Sequence, residues 1–437
     1  MHRFSVSLNR RFIKWCLVVV FTFLAILTIH RAFLLPAPIA DNIADNKPVR
    51  LDSDLIMSFP FPYTIPIKNI DSNVNESAII SFETHRKFAF MKNHKCGSST
   101  IENIIFRFAK KNNLNIVLPE SGNYLSTTEL FNHKSLADTK WKDSPFDIFS
   151  LHNRWNRKEV MKVLEDEVPT FTIVRDPVDV FVSMFHYQDK FKEFYGVKDI
   201  HEMVLKMQEN PASPQLNQRW MKYVGRNQIS WDLGLSPDIY DNEEAMKKEI
   251  ERLDHEFDLV MLANRMDESL VLLMHLMNWK GKDVVHLDLN RRKPDKSSPL
   301  NNEEIDVLSN WLAADVQIFK YFSRRFDERV AELNEEHSSL DLFDSVVHSG
   351  LDDFDESGYV NQLTQLLKEA NAQLYEQCVI QEVGNEKLSG VFKETNDNIL
   401  GYVINEEQEG CAFFAMSEPA FLKIFRNKLL SDVIKAS

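Results

Sequence analysis

Two short apolar runs, "KFAFM" (87–91) and "TFTIV" (170–174), each break at once into a polar loop and then an amphipathic helical pattern. No other feature of the chain constrains the fold as much. Continuous apolar and β-branched runs mark strands buried on both faces, and strands alternating with helices assemble as a parallel sheet. The expected fold class is α/β, a central parallel sheet flanked by helices. After the first run, Ile101, Ile104, Ile105 and Phe108 fall on one helical stripe, and Ser99 with Glu102 fits a capping box. After the second, Asp176 suits the N-cap, Pro177 the first helical position, and Val178, Phe181, Val182 and Phe185 the buried face. A third run, 146–151, reads as a strand that puts His152 at its C-terminal edge, with Asn156 and Glu159 as a cap-like pair beyond it.

The loops carry the chemistry. "KNHKCGSST" (92–100) joins a strand to a helix N-terminus, where free N–H groups and the helix dipole attract phosphate or sulfate. Gly97 permits close backbone approach. Lys92 and Lys95 add charge, and Ser98, Ser99 and Thr100 add hydroxyl donors. The lysines precede the only glycine, so the layout is P-loop-like without being the nucleotide-binding G-x-x-x-x-G-K-[ST] pattern. Arg175, at the end of the second run, and Ser183, eight residues on, can grip one phosphate together, since a guanidinium binds phosphate bidentately.

The N-terminus reads differently. Arg3, Arg10, Arg11 and Lys14 precede fifteen uncharged, mostly apolar residues from Trp15, and counting through Leu35 gives the length of a membrane span. A cleaved signal peptide is the competing reading, but "PAPIA" puts proline where a cleavage site wants small residues. The expected organisation is a cytoplasmic tail (1–14), a signal-anchor (15–35), a luminal stem (36–80), a catalytic domain (81–335) and an acidic insertion with a C-terminal helical extension (336–437), oriented by the basic residues before the span. Asn75 begins a sequon in the stem. With Cys16 in the span and Cys96 in the loop, Cys378 and Cys411 remain, and an oxidising lumen permits them to pair; two buried free thiols are the alternative. A formal charge of −14 and a pI near 5.5 argue against a nucleic-acid partner.

Together, K-x-x-K-x-G-S-S-T and R-D-P-x₅-S resemble the signatures of sulfotransferases that use 3′-phosphoadenosine 5′-phosphosulfate (PAPS). More narrowly, "KNHKCGSSTIENIIFRFAKKNNL", "DIFSLHNRWN", "FTIVRDPV", "SMFHY" and "SNWLAADVQIFKYFSRRF" resemble the galactose 3-O-sulfotransferases, a family that includes the galactosylceramide enzyme. The likeness covers 87–329, with a weaker echo over 370–419; Asn93 and the acidic insertion at 338–357 depart from it. The resemblance implies a P-loop-like sulfotransferase fold and a single-pass type II Golgi enzyme. It would transfer a sulfuryl group from PAPS to the 3-hydroxyl of a galactose on a glycolipid or glycoprotein glycan, with no metal required. It places Lys92, His94, Lys95, Cys96, Gly97, Ser98, Ser99 and Thr100 around the phosphosulfate and Arg175 with Ser183 on the 3′-phosphate. Lys95 would serve the leaving oxygen. His152 would be the general base, with His94 and then His186 as the alternatives.

Trp155, Trp220 and Trp231 are candidate sugar platforms, and the basic run Arg291–Lys293 would face the cofactor, an acidic glycan or solvent. Self-association stays open. Two other readings remain: a heparan- or chondroitin-type sulfotransferase, for whose polyanionic acceptor the chain is short of basic runs, and an inactive glycan-binding protein on the same fold.

Overall fold

The computed structural model describes residues 84–187, 189–211, 213–294, 299–338 and 358–436. The expected tail, anchor and stem, the Asn75 sequon and the acidic segment after Ser338 lie outside the described residues. Among the described residues no helix is long and apolar enough to cross a membrane.

The core is a four-stranded, fully parallel sheet in the order β2-β1-β3-β4. Its strands are β1 (Phe88–Met91), β2 (Ile148–Phe149), β3 (Thr170–Val174) and β4 (Leu259–Leu262). Every residue of the four is buried, as helices on both faces require. Phe88 and Phe90 both pack on Phe171, at centroid distances of 5.6 and 5.3 Å. The expected third strand shrinks to two residues. Outside its two-residue pairing with β1, this segment makes isolated bridges from Ile148 to Ile116 and from His152 to Tyr124.

The helices that matter for the site are α1 (Ser98–Lys111), α2 (Arg157–Leu164), α3 (Pro177–Tyr187), α4 (Gln228–Asp232), α5 (Met266–Met277), α6 (Ala313–Ser338), α7 (Tyr359–Cys378), α8 (Cys411–Ala415) and α9 (Glu418–Ala436). Asp176 caps α3 as its position suggests, accepting from the N–H groups of Val178 and Asp179. Asn156 stands at the N-cap of α2 without a side-chain capping bond.

The expected α1 stripe is buried, but α1 is covered on its other side too. Phe106 packs on Phe421 and Phe425 of α9, and Arg107 lies over Phe414 of α8. The capping box does not form: Gly97 is the N-cap, and Glu102 is drawn instead to the Lys92 ammonium. A two-stranded antiparallel ribbon, β5 (Val379–Gly384) and β6 (Leu400–Ile404), follows α7. A disulfide from Cys378 to Cys411 ties the end of α7 to the start of α8.

Candidate active site

The loops after β1, β3 and β4 open at the C-terminal edge of the sheet, the place where parallel α/β sheets bind ligands. They line one cavity of about 1120 Å³, together with segments from the C-terminal part of the chain.

The first loop is built by its backbone. Lys95 (φ 58°) and Gly97 (φ 74°) both adopt left-handed conformations, which lets the chain turn from β1 straight onto the α1 N-terminus. For a lysine this conformation is disfavoured by about 1–2 kcal/mol, the kind of strain that collects at ligand sites. Asn93 anchors the loop to β3, its Nδ2 donating to Thr172 Oγ1 (3.0 Å) and the Ile173 carbonyl (2.9 Å). The Ser98 hydroxyl closes the loop on the Asn93 carbonyl, Thr100 Oγ1 accepts from the Leu289 N–H, and Ser99 accepts from Asn290 Nδ2. Two of the three hydroxyls therefore sit buried and hold the loop. Cys96 points into the core, where burial pushes its thiol pKa up.

The two lysines have separate fates. Lys92 is 1% exposed and pairs with Glu102 and, at 2.9 Å, with Glu418. Burial alone would lower its pKa, but the two carboxylates outweigh it and keep the ammonium charged. It is already neutralised by protein, which differs from the expected contact with a phosphate. Lys95 is half-buried, with Nζ 3.7 Å above the Tyr187 ring. Burial, with Arg175 and Arg292 nearby, lowers its pKa to about 7. It is a cation in want of an anion.

The histidines stand beside this loop. The rings of His94 and His152 stack at 4.2 Å with their planes 20° apart, and the Tyr124 ring lies beside both, 5.0 Å from His152 and 5.8 Å from His94. Behind His94, Asp232 Oδ2 accepts from the His94 backbone N–H (2.9 Å) and lies 2.8 Å from Nδ1; Nε2 lies 3.0 Å from the Tyr124 hydroxyl. Asp232 is held in turn. Gln228 donates to its other oxygen, and buried Asp315 of α6 takes the N–H groups of Ile229 and Ser230 to fix the short helix α4. His152 has no carboxylate behind it. Burial, then the charges of His94 and Lys92, hold its pKa well below the usual histidine range, so it is neutral. Its buried Nδ1 has no hydrogen-bond partner.

Arg175 and Ser183 both line the cavity, on the side of Lys95. Arg175 reaches toward the Lys95 carbonyl (3.5 Å) and pairs with Asp179 at 3.2 Å. In the basic run, Arg291 pairs with Glu382 and Lys293 with Glu386, while Arg292 also lines the cavity. Of the three tryptophans, Trp220 alone reaches the cavity. Trp155 is buried against Phe257 with its Nε1 donating to Glu256, and Trp231 is clasped between Arg154 and Arg219. His186 does not line the cavity and packs beside Phe185.

Sequence reasoning missed Tyr124, Asp232, Glu394 and Glu418. The last two line the cavity as an acidic wall: Glu394 accepts from the Glu418 N–H (3.0 Å), and Glu418 accepts from Asn123 Nδ2 (2.8 Å) and Lys92. Burial, with Glu418 adjacent, raises Glu394 to about 7. Only the lone acid in the apolar "ISWDLG" hinted at Asp232.

The cavity thus brings together a helix N-terminus, the cations Lys95, Arg175 and Arg292, and a carboxylate-backed imidazole. Comparison with known proteins agrees with that chemistry. The family model for galactose-3-O-sulfotransferase matches residues 45–341. Galactose-3-O-sulfotransferase 2 of Sus scrofa is 31% identical over 248 residues, 55% of this chain and 61% of the relative. Galactosylceramide sulfotransferase of Bos taurus is 27% identical over 260 residues, 60% of this chain and 61% of the relative. Galactose-3-O-sulfotransferase 3 of Mus musculus is 28% identical over 260 residues, 56% of this chain and 58% of the relative. The chain therefore spans about three fifths of the length of the curated relatives it matches. The family match includes Lys95, His152, Arg175 and Asp232 but stops before Glu394 and Glu418. The chain belongs to the galactose-3-O-sulfotransferase family.

Proposed function

We propose that this protein transfers a sulfuryl group from PAPS to the 3-hydroxyl of a galactose carried by a glycolipid or a glycoprotein glycan. The observation that carries the reading is a single cavity lined by cations, a helix N-terminus and an Asp232-supported His94. Its volume suits a nucleotide together with part of a sugar.

The donor fits the residues present. The N-terminus of α1, Lys95 and Ser99 would hold the phosphosulfate, and Arg175 with Ser183 the 3′-phosphate. When bound, PAPS supplies the sulfuryl group. Lys95 offers its ammonium where charge grows on the leaving phosphate. His94 takes the acceptor hydroxyl proton at Nε2 when the acceptor displaces the Tyr124 hydroxyl that lies 3.0 Å from it, while Asp232 at Nδ1 orients the ring and stabilises the imidazolium. The supporting carboxylate favours His94 over His152 as the base. The acidic wall of Glu394 and Glu418 favours a neutral acceptor over a heparan- or chondroitin-type polyanion. A single-pass type II placement in a Golgi membrane is part of the same reading, supported by residues 3–35 and by a disulfide that needs an oxidising compartment.

The direct test incubates the purified chain with radiolabelled PAPS and neutral galactosides, uronic-acid glycans, or buffer alone. Label on the galactoside 3-oxygen is the expected result; label on uronic-acid glycans alone, or on neither, refutes it. For the donor site, Arg175→Ala is expected to weaken PAP, the desulfated product, by about 1.5–3 kcal/mol, as for a lost charge-assisted bond. Unchanged calorimetric affinity in the folded variant removes Arg175 from the site.

A further inference from the structure

The base of the proposed reaction is engaged before any acceptor arrives. Asp232 Oδ2 lies 2.8 Å from Nδ1 of His94 and accepts the His94 backbone N–H as well. A carboxylate only accepts, so Nδ1 carries the ring proton and Nε2 holds the lone pair. The Tyr124 hydroxyl lies 3.0 Å from Nε2 and donates to it. Burial, with Tyr223 and Asp232 nearby, raises the Tyr124 pKa, so the phenol keeps its proton and stays a donor.

Its neighbours place the phenol there. The Tyr124 backbone forms a parallel bridge with His152, and the next N–H, that of Leu125, donates to the His152 carbonyl (2.8 Å). The rings of His152, Tyr223 and His94 lie around that of Tyr124 at 5.0, 5.5 and 5.8 Å. Tyr124, His94 and Tyr223 all line the cavity. The backbone is pinned, so the hydroxyl leaves Nε2 by rotation of the side chain.

Water competes with any sugar for a free base. A sulfuryl donor beside such a base is open to hydrolysis. In that step the water oxygen bonds to sulfur, and the bond from sulfur to the bridging oxygen breaks with its electron pair staying on the phosphate. One water proton goes to Nε2, and the product, hydrogen sulfate, releases the other to solvent. Keeping water off the base prevents that loss. A sugar brings several further contacts to offset a displaced phenol, whereas a single water brings none.

We propose that Tyr124 guards the base: its hydroxyl occupies Nε2 of His94 until a sugar hydroxyl displaces it, which spares bound PAPS from hydrolysis. The inference rests on the proposed function and adds to it the control of when His94 acts.

The test measures sulfate released from radiolabelled PAPS without acceptor, in wild type, Tyr124→Phe, His94→Ala and the double variant. Tyr124→Phe keeps the ring and loses only the hydroxyl. Its acceptor-free hydrolysis is expected to rise roughly 3–10-fold, the scale of one net hydrogen bond. The affinity of methyl β-galactoside for the PAP-bound protein, read by calorimetry, should rise by a similar factor, because both measurements report the same freed nitrogen. Between His94→Ala and the double variant the rise in hydrolysis should vanish, since the two groups act as a pair.

Hydrolysis unchanged or lowered in Tyr124→Phe overturns the proposal, as does an affinity that does not rise. A rise that persists on the His94→Ala background overturns it too, because a loosened site then explains the effect. Label fixed to the wild-type chain but not to Tyr124→Phe makes the phenol an acceptor and likewise refutes the guard. The expected hydrolysis pattern with no transfer to any galactoside refutes the functional reading alone. Transfer to galactosides without that pattern refutes this inference alone.

Discussion

The His94→Ala protein is expected to bind PAP as tightly as wild type and to turn over galactosides about 10²–10⁴-fold more slowly, the usual scale for a lost acid–base group. Three features support a selective effect. The His94 backbone N–H keeps its bond to Asp232 when the side chain is gone, so the loop stays in place. The ring is only 14% exposed and its polar contacts are to Asp232 and Tyr124, so Arg175 and Ser183 keep their surroundings. The proton, by contrast, has no comparable destination, since His152 lacks a carboxylate and its pKa is already held well below the histidine range. Asp232→Asn, which keeps the shape but removes the charge, should reproduce much of the loss. Initial rates and PAP calorimetry on the same preparations decide the matter. A folded His94→Ala enzyme with most of its turnover would return the base to His152.

Lys95→Met should damage both steps. The thioether still packs on Tyr187, but the charge facing the phosphosulfate is gone. Turnover should fall about 10²–10³-fold, as when one transition-state donor is removed. The pH dependence provides a second signature. In the free protein Lys95 titrates at about 7, because burial and the neighbouring cations disfavour its charged form. A bound anion favours the charged form and raises that value. Between pH 7 and the raised value, binding takes up one proton, so PAP affinity should fall as pH rises, by up to about tenfold per unit. Below pH 7 the lysine is charged in both states and the slope vanishes. Lys95→Met should bind weakly with no such slope. A wild-type affinity independent of pH between 7 and 9 would contradict the assignment.

What was legible in the sequence was local. β1 and its loop, and β3 with Asp176, Pro177 and α3, follow from runs of a dozen or so residues whose periodicity and caps agree. The Cys378–Cys411 link could be anticipated by elimination. The rest depended on contacts between distant segments. Glu102 fits a capping box in sequence, yet a buried Lys92 attracts it more strongly than an N-terminal N–H does. Trp155 and Trp231 have no local mark that separates a core ring from a sugar platform; their partners, Phe257, Glu256, Arg154 and Arg219, decide it. Asp232 matters because Asp315, 83 positions on, fixes the helix that presents it, and no spacing rule encodes that.

The Lys92–Glu418 pair has a consequence in time. Its two ends are 326 residues apart. At about 5–20 residues per second of synthesis, Glu418 follows Lys92 out of the ribosome by roughly 15–65 s. During that interval the β1–α1 unit exists with Glu102 as its only carboxylate at Lys92, and with the face of α1 that later meets α9 still bare to water. Parallel pairings already make such a sheet slow to assemble. The loop after β1 can take shape early, whereas the wall of Glu394 and Glu418 must wait for the last helix. In a nascent chain the first loop and helix thus precede their last partner by many seconds, and chaperones that recognise apolar surface have their longest opportunity at α1.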